Sequence, residues 1–178
     1  MKTNIYLGIG SNIGNKIRNI IAAIFFLKKT KLIYIKKMSA FYETSPIGPR
    51  QANFYNTVIE ISTNLLPYDL LSLIKQIEYI LGRRKAPKWY PRVIDIDILF
   101  FGSEIINISG IYNTIYKNSH KANLIIPHKE ILNRLFVLVP LQEIAKDFVH
   151  PILKQKLSKI LSKKLISLKY QKIKIVSS

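Results

Sequence analysis

Two aspartates, Asp95 and Asp97, stand two residues apart in an otherwise apolar run, Val93–Phe101 (VIDIDILFF). Residues two apart on a strand point the same way. Both carboxylates therefore project from one face, while Ile94, Ile96 and Ile98 point to the other. Such a pair repels itself and costs stability unless a cation lies between the charges. Magnesium suits that place, because it takes one or two carboxylates together with substrate phosphates. The D-x-D spacing alone equally fits a solvent-facing pair at a sheet end, so the neighbouring charges decide. Of six arginines, Arg83, Arg84 and Arg92 fall within ten positions just ahead of the aspartates. Guanidinium forks beside a metal–carboxylate pair are what phosphoryl transfer needs, since its transition state spreads charge over phosphate oxygens. The run Arg83–Lys85 would also offset the dipole of a helix C-terminus.

Other chemistries find less support. Gly8-Ile9-Gly10-Ser11-Asn12-Ile13-Gly14 has neither the G-x-G-x-x-G nor the G-x-x-x-x-G-K-[ST] spacing. It reads as a tight strand-to-helix turn capped by Ser11 or Asn12, which leaves a nucleotide to be held by side chains. No nucleophile triad can be assembled from His120, His128 and His150. His128 follows Pro127 at a helix start, where capping and phosphate binding fit equally well. There is no Cys, so neither a disulfide nor a thiolate site exists.

The elements that must position these groups are well marked. Asn4–Ile9 reads as a strand and the stretch from Ile17 to Lys28 as an amphipathic helix. Leu32–Phe41 is a second strand, Thr44–Arg50 a Pro/Gly-rich loop, and Phe54–Ser62 a third strand. Pro67 opens a second helix whose stripe ends at Leu81, with Gly82 as its stop. Val93–Phe101 is the fourth strand. The order β-α-β-β-α-β predicts an α+β, ferredoxin-like sheet with helices packed on it. Beyond it, 107–123 reads as an inserted loop or hairpin, and Leu124–Ile126 as a short strand. A helical stretch runs from Pro127 to about Ile144, followed by a Lys-rich amphipathic helical tail over 151–178.

A chain of 178 residues, 48% of them apolar, suits one domain over 1–178. No apolar run reaches the roughly 18 residues of a membrane span, and the N-terminus lacks the pattern of a signal peptide. A cytoplasmic location, no membrane partner and a monomer are expected. The net charge of +18 invites a nucleic-acid reading. Most of the excess, however, is Lys scattered among Ile and Asn, a compositional bias rather than a binding stripe, so no nucleic-acid partner is expected.

Lys88–Leu99 (KWYPRVIDIDIL) closely resembles the signature of 6-hydroxymethyl-7,8-dihydropterin pyrophosphokinases. The likeness extends through YLGIGSNIG, SAFYETSPIGP, FYNTVIEI, IEYILGRR, IPH and NRLFVLVPLQEIA. It implies a ferredoxin-like α+β fold and transfer of the β,γ-diphosphate of ATP to the pterin hydroxymethyl group, with AMP leaving. By position, Asp95 and Asp97 match the pair that binds two magnesium ions, and Arg83 and Arg92 match phosphate contacts. Glu78, Ile98 and His128 fall in the nucleotide site. Thr44, Pro46, Ile47 and Asn56 match the groups that meet the pterin edge, Trp89 the residue that closes over the substrate, and Phe54 and Phe136 the rings that sandwich it. An aromatic heterocycle gains from offset stacking, and an amide supplies both donor and acceptor; without the resemblance, core packing would be the plainer reading of both Phe residues. The chain departs from the pattern at Tyr90, Ser45, Lys75 and Asn123, and its loop is one residue short between Arg83 and Trp89. That loss leaves Arg84 and Lys85 both open as the second basic contact. Two rivals remain: a nucleic-acid-binding module of the same fold, and a catalytically silent relative.

Overall fold

The computed structural model describes residues 4–84, 87, 90–113 and 119–176, with the side chains of 110–113 and 119–122 left aside. In chain order it contains β1 (Ile5–Ser11), α1 (Lys16–Lys29), β2 (Ile33–Met38), β3 (Tyr42–Thr44), β4 (Phe54–Thr63) and α2 (Pro67–Ile80). There follow β5 (Asp95–Phe101), β6 (Ile106–Asn113), β7 (Ser119–Ile126), a 3-10 turn (Ile131–Asn133), α3 (Leu135–Ala145), α4 (Leu157–Ser167) and β8 (Ile173–Ile175). The main sheet runs β5-β1-β4-β3-β8, with β2 also pairing β4, and every pairing is antiparallel. The protein is thus α+β, an antiparallel sheet with helices packed on it.

Period-two alternation divides the side chains between two cores. Ile5, Leu7, Ile9, Ile59, Ile61, Ile96 and Ile98 face α1 and α2, meeting Ile20, Leu27, Leu70 and Ile74. Tyr6, Val58, Leu99 and Phe100 face the other way, against Leu135, Leu138 and Leu141 of α3 and Ile160 of α4. Helices therefore cover both faces of the sheet. Ile21 and Phe25, read from the sequence as part of the α1 stripe, are more than half exposed; Ile20, Ala23 and Leu27 carry that contact.

Several boundaries differ from the sequence reading. β1 continues through Gly10 to Ser11, and α1 is capped by Asn15, whose side chain accepts from Arg18 N at 3.0 Å, not by Ser11 or Asn12. The strand expected over Leu32–Phe41 is β2, which ends at Met38; a further strand, β3, follows from Tyr42 and pairs with the part of β4 next to β2's partners, so Thr44, expected in a loop, is a strand residue. Of residues 107–123, expected as an insertion, 107–113 and 119–123 belong to the paired strands β6 and β7, whose inner residues Ile106, Leu124 and Ile126 reach the α1–α2 core. The helix expected from Pro127 begins only at Leu135, because Arg134 is extended (φ −129, ψ 102). Among its described residues, the tail is an α-helix only over α4. Its end is β8, whose Ile-Lys-Ile fits either period and which pairs with β3. Among the described residues, no helix is long and apolar enough to cross a membrane.

Candidate active site

The middle of the sheet supplies the floor of a cleft on the α3 face. Gly8 and Gly10 of β1 lie opposite Asp97 and Asp95 of β5, and Gly10 also lies opposite Asn56 of β4. Glycine leaves that floor bare, so the carboxylates and the amide stand above it from the flanking strands. A Cβ on Gly10 would come within 2.7 Å of Asn56 Oδ1, whereas one on Gly8 would only touch the Leu99 side chain at 3.4 Å. Here the close approach of a side chain, rather than a turn, requires the glycine.

At one end of the cleft the charges converge. α2 ends in a Schellman motif: Gly82 has φ +95, Gly82 N donates to Tyr79 O and Arg83 N to Glu78 O. This turn brings the Arg83 side chain back over the helix end, where it bonds both Glu78 and Asp95. Glu78 is 2% exposed and also accepts from Lys75 Nζ at 2.9 Å and from Ile96 N at 2.7 Å. It therefore sits behind the site and holds Arg83. The second oxygen of Asp95 accepts from Arg92 at 2.7 Å. Asn12 anchors Arg92: its Oδ1 accepts from Arg92 N at 2.7 Å, and its own N donates to Arg92 O at 3.1 Å.

Charge balance follows from these contacts. Burial would raise the Asp95 carboxyl, but the Arg83 and Arg92 guanidiniums outweigh it and hold it below its ordinary value. For Lys75, burial is the largest single effect and would lower the ammonium, but Glu78, Asp95 and Asp97 together outweigh it and raise it. Asp97 accepts from Arg134 at 3.3 Å, with His128 Nε2 3.9 Å away. His128 Nδ1 accepts from Glu130 N at 3.3 Å, just ahead of the 3-10 turn, which leaves the Nε2 side facing Asp97. Burial lowers the imidazole, only partly offset by Asp97.

The other end of the cleft is apolar with a polar edge. Phe54, Phe136 and Ile47 line it together with Thr44 and Asn56. Asn56 Nδ2 donates to Thr44 Oγ1 at 2.7 Å. Of the site residues expected from the sequence, Asp95, Asp97, Arg92, Thr44, Ile47, Phe54, Asn56 and Phe136 line one cleft. Arg83 reaches it through Asp95. Pro46 lies between two lining residues without lining the cleft itself. The Ile98 side chain is 4% exposed in the α1–α2 core, because alternation turns it away from Asp97. Trp89 and Lys85 lie outside the described residues. Arg84 stacks on Tyr79 at 4.4 Å and donates to Tyr79 O, which turns it away from the aspartates.

Sequence reasoning missed Arg134, which bonds Asp97 and lies 5.6 Å from the Phe136 ring centroid. Its signal was available, since it stands two residues before Phe136 in the same NRLF run. It also missed Tyr90 as a lining residue and Gln51, which accepts from Asn12 Nδ2 at 2.8 Å.

Two carboxylates on one face, with no third acidic or imidazole ligand grouped among the described residues, are too few for a permanent metal cage. They suit a hard divalent ion that brings phosphate oxygens with it. Fold and site together define an α+β domain in which a carboxylate–guanidinium cluster adjoins an apolar cleft lined by two phenylalanines. The particular family follows from comparison: residues 6–146 match 7,8-dihydro-6-hydroxymethylpterin-pyrophosphokinase, and the chain belongs to this family. It is 39% identical over 143 residues to the 2-amino-4-hydroxy-6-hydroxymethyldihydropteridine pyrophosphokinase of Bacillus subtilis, covering 80% of this chain and 78% of that protein. To the bifunctional protein FolKE of Lactococcus lactis it is 42% identical, over 80% of this chain but only 38% of that one. A crystal structure of HPPK-DHPS in complex with substrates superposes with a TM-score of 0.74, at 17% identity, over 96% of this chain and 45% of that chain. Wild-type Plasmodium falciparum HPPK-DHPS does so at 0.74 and 18%, over 96% and 46%. At these identities the likeness concerns the fold, and the chain spans less than half the length of these larger relatives.

Proposed function

We propose that this chain transfers the β,γ-diphosphate of ATP to 6-hydroxymethyl-7,8-dihydropterin, giving the pterin diphosphate and AMP in folate biosynthesis. One observation carries the reading: Asp95, Asp97, Arg92 and Arg134 share a single cleft with Phe54, Phe136, Thr44 and Asn56. A phosphate-handling cluster and a ring slot are thus adjacent, as a transfer between the two substrates requires. Phe54 and Phe136 stack on the pterin, while Asn56, Thr44 and the Pro46–Ile47 backbone read its polar edge. Arg83 and Arg92 sit on Asp95 through charge-assisted bonds that phosphate oxygens can take over. Arg134 and His128 neutralise charge beside Asp97, and the main chain at Ile98 remains for the nucleotide. Trp89 closes over the bound substrates. Catalysis is then mostly positioning and charge neutralisation.

Asp95 and Asp97 would hold two magnesium ions, which supply Lewis-acid neutralisation of the triphosphate when bound. The strand order β5-β1-β4-β2 is the support for reading the core as ferredoxin-like. The chain is read as one cytoplasmic domain acting as a monomer on small molecules, without nucleic acid or membrane.

The test is incubation with ATP, magnesium and the hydroxymethyl-dihydropterin, with AMP measured by chromatography. AMP should form only when the pterin is present, and no AMP above background would overturn the proposal. Asp97→Ala should abolish AMP release while retaining a cooperative melt; retained turnover would refute the metal assignment.

A further inference from the structure

The N-terminus of α3 is built unusually. Its N-cap residue is Arg134, and no side chain in that position bonds the first turn. N-caps are normally Ser, Thr, Asp or Asn, whose side chains take up an orphan N–H. Arg134 cannot do so, having only donors, and its guanidinium is engaged with Asp97. The missing acceptor comes from the far end of the chain. Gln171 is 9% exposed, and its Oε1 accepts from Leu135 N at 2.9 Å. Its Nε2 donates to Asn133 O at 2.8 Å. One amide thus grips the backbone on both sides of Arg134.

The next residue serves the opposite wall of the cleft. Ser45 N donates to Lys172 O at 3.1 Å, and Lys172 N donates to Ser45 Oγ at 3.3 Å. β8 then continues along β3, with Ile173 opposite Thr44. Residues 171 and 172 therefore tie the wall carrying Arg134 and Phe136 to the wall carrying Thr44, Ser45 and Ile47. Both lie beyond the family-matched segment, which ends at residue 146.

We infer that Gln171 is a positioning residue for the ring-binding half of the cleft. It sets the backbone of Arg134, and through it the first turn that carries Phe136, from a C-terminal segment outside the common family core. The amide frees Arg134 to serve the site instead of its helix. This inference rests on the proposed function for its kinetic consequences but not for its structural ones.

The test uses the full chain with Gln171→Met, which keeps length and removes both hydrogen bonds. The KM for the pterin should rise about tenfold, the scale of one to two lost hydrogen bonds, and by more than the KM for ATP, because Arg83 and Arg92 keep their contacts with Asp95 and only Arg134 is loosened. The effect should be non-additive with Arg134→Ala in a double-mutant cycle. Unchanged pterin KM, or full additivity, would overturn the inference. Amide hydrogen exchange tests it without turnover: protection at Leu135–Val137 should fall selectively in Gln171→Met while β1 and β4 keep theirs. A uniform loss of protection would mean a merely structural residue and would also overturn it. If Gln171→Met fails to fold, Gln171→Asn, too short to hold both partners, must shift the same two readouts in the same direction. Absence of AMP from the unmodified chain would defeat the proposed function and leave the exchange result to decide the clamp.

Discussion

At Gly10 the absence of one carbon determines how the cleft is shaped. Asn56 Oδ1 occupies the space a Cβ would need, and the same amide holds Thr44. Gly10→Ala must displace Asn56, so the KM for the pterin should rise roughly tenfold, the scale of one or two lost hydrogen bonds. Gly8→Ala meets only a flexible leucine and should stay within about threefold, as measured by steady-state AMP formation; equal effects would refute the argument. His150 makes a second residue-scale case. Its ring packs edge-on against Phe100 at 5.4 Å, and Nδ1 accepts from Ile152 N and Leu153 N. Burial lowers its pKa, only partly offset by its own backbone. The unfolded chain therefore takes up the proton first, near pH 6.5. Stability is complete above that value and is lost as pH falls toward the folded pKa. His128 adds slope of the same sign. The urea midpoint should fall between about pH 7 and 5, and His150→Gln should flatten part of that slope; an unchanged slope would refute it. Among site residues, the lone-strand logic of Asp95 and Asp97 was readable from spacing. Arg134 was legible only by its place in the NRLF run; its contact with Asp97 depends on an extended backbone that Gln171, 37 residues on, holds from both sides.

Elements were legible where their period was long and unambiguous. α2 shows this, with Pro67 at its start, Gly82 at its stop and a full apolar stripe between. β8 was not, since three residues cannot distinguish strand from helix and only the open edge of β3 selects the strand. The β6–β7 hairpin shows both sides of the matter. Its polar outer part has no periodicity, yet its root buries Leu124 and Ile126 at 5% and 1% exposure. Register puts Ile108 opposite Leu124, so the core contribution ends near that pair. Replacing residues 111–121 with an Asn-Gly turn should therefore shift the melting temperature by no more than about 3 °C. Leu124→Ala should cost about 2–5 kcal/mol in urea unfolding. A large loss from trimming alone would show that the outer hairpin holds the fold.

For the whole molecule, the charge of +18 is the property that spacing and motif could not interpret. The fold gives part of it a direction. Arg83, Arg92 and Arg134 are gathered on two aspartates in one cleft, while Lys156 and Lys174 pair with exposed or half-buried carboxylates elsewhere. A polyanionic nucleotide approaching this molecule feels both the local cluster and the long-range field, and the field is screened by salt. The Debye length falls from about 30 Å at 0.01 M to about 3 Å at 1 M. A pterin without net charge feels neither. Raising sodium chloride from about 20 to 500 mM should therefore increase the KM for ATP several-fold while the pterin KM moves less than twofold. Under the rival nucleic-acid reading, the same titration on labelled RNA would show tight, saturable binding with a steep salt slope. If the excess charge is compositional, RNA binding at about 150 mM salt should be weak and unsaturated in a gel shift. Equal salt sensitivity for both substrates would mean that the cations act on the fold rather than on the nucleotide.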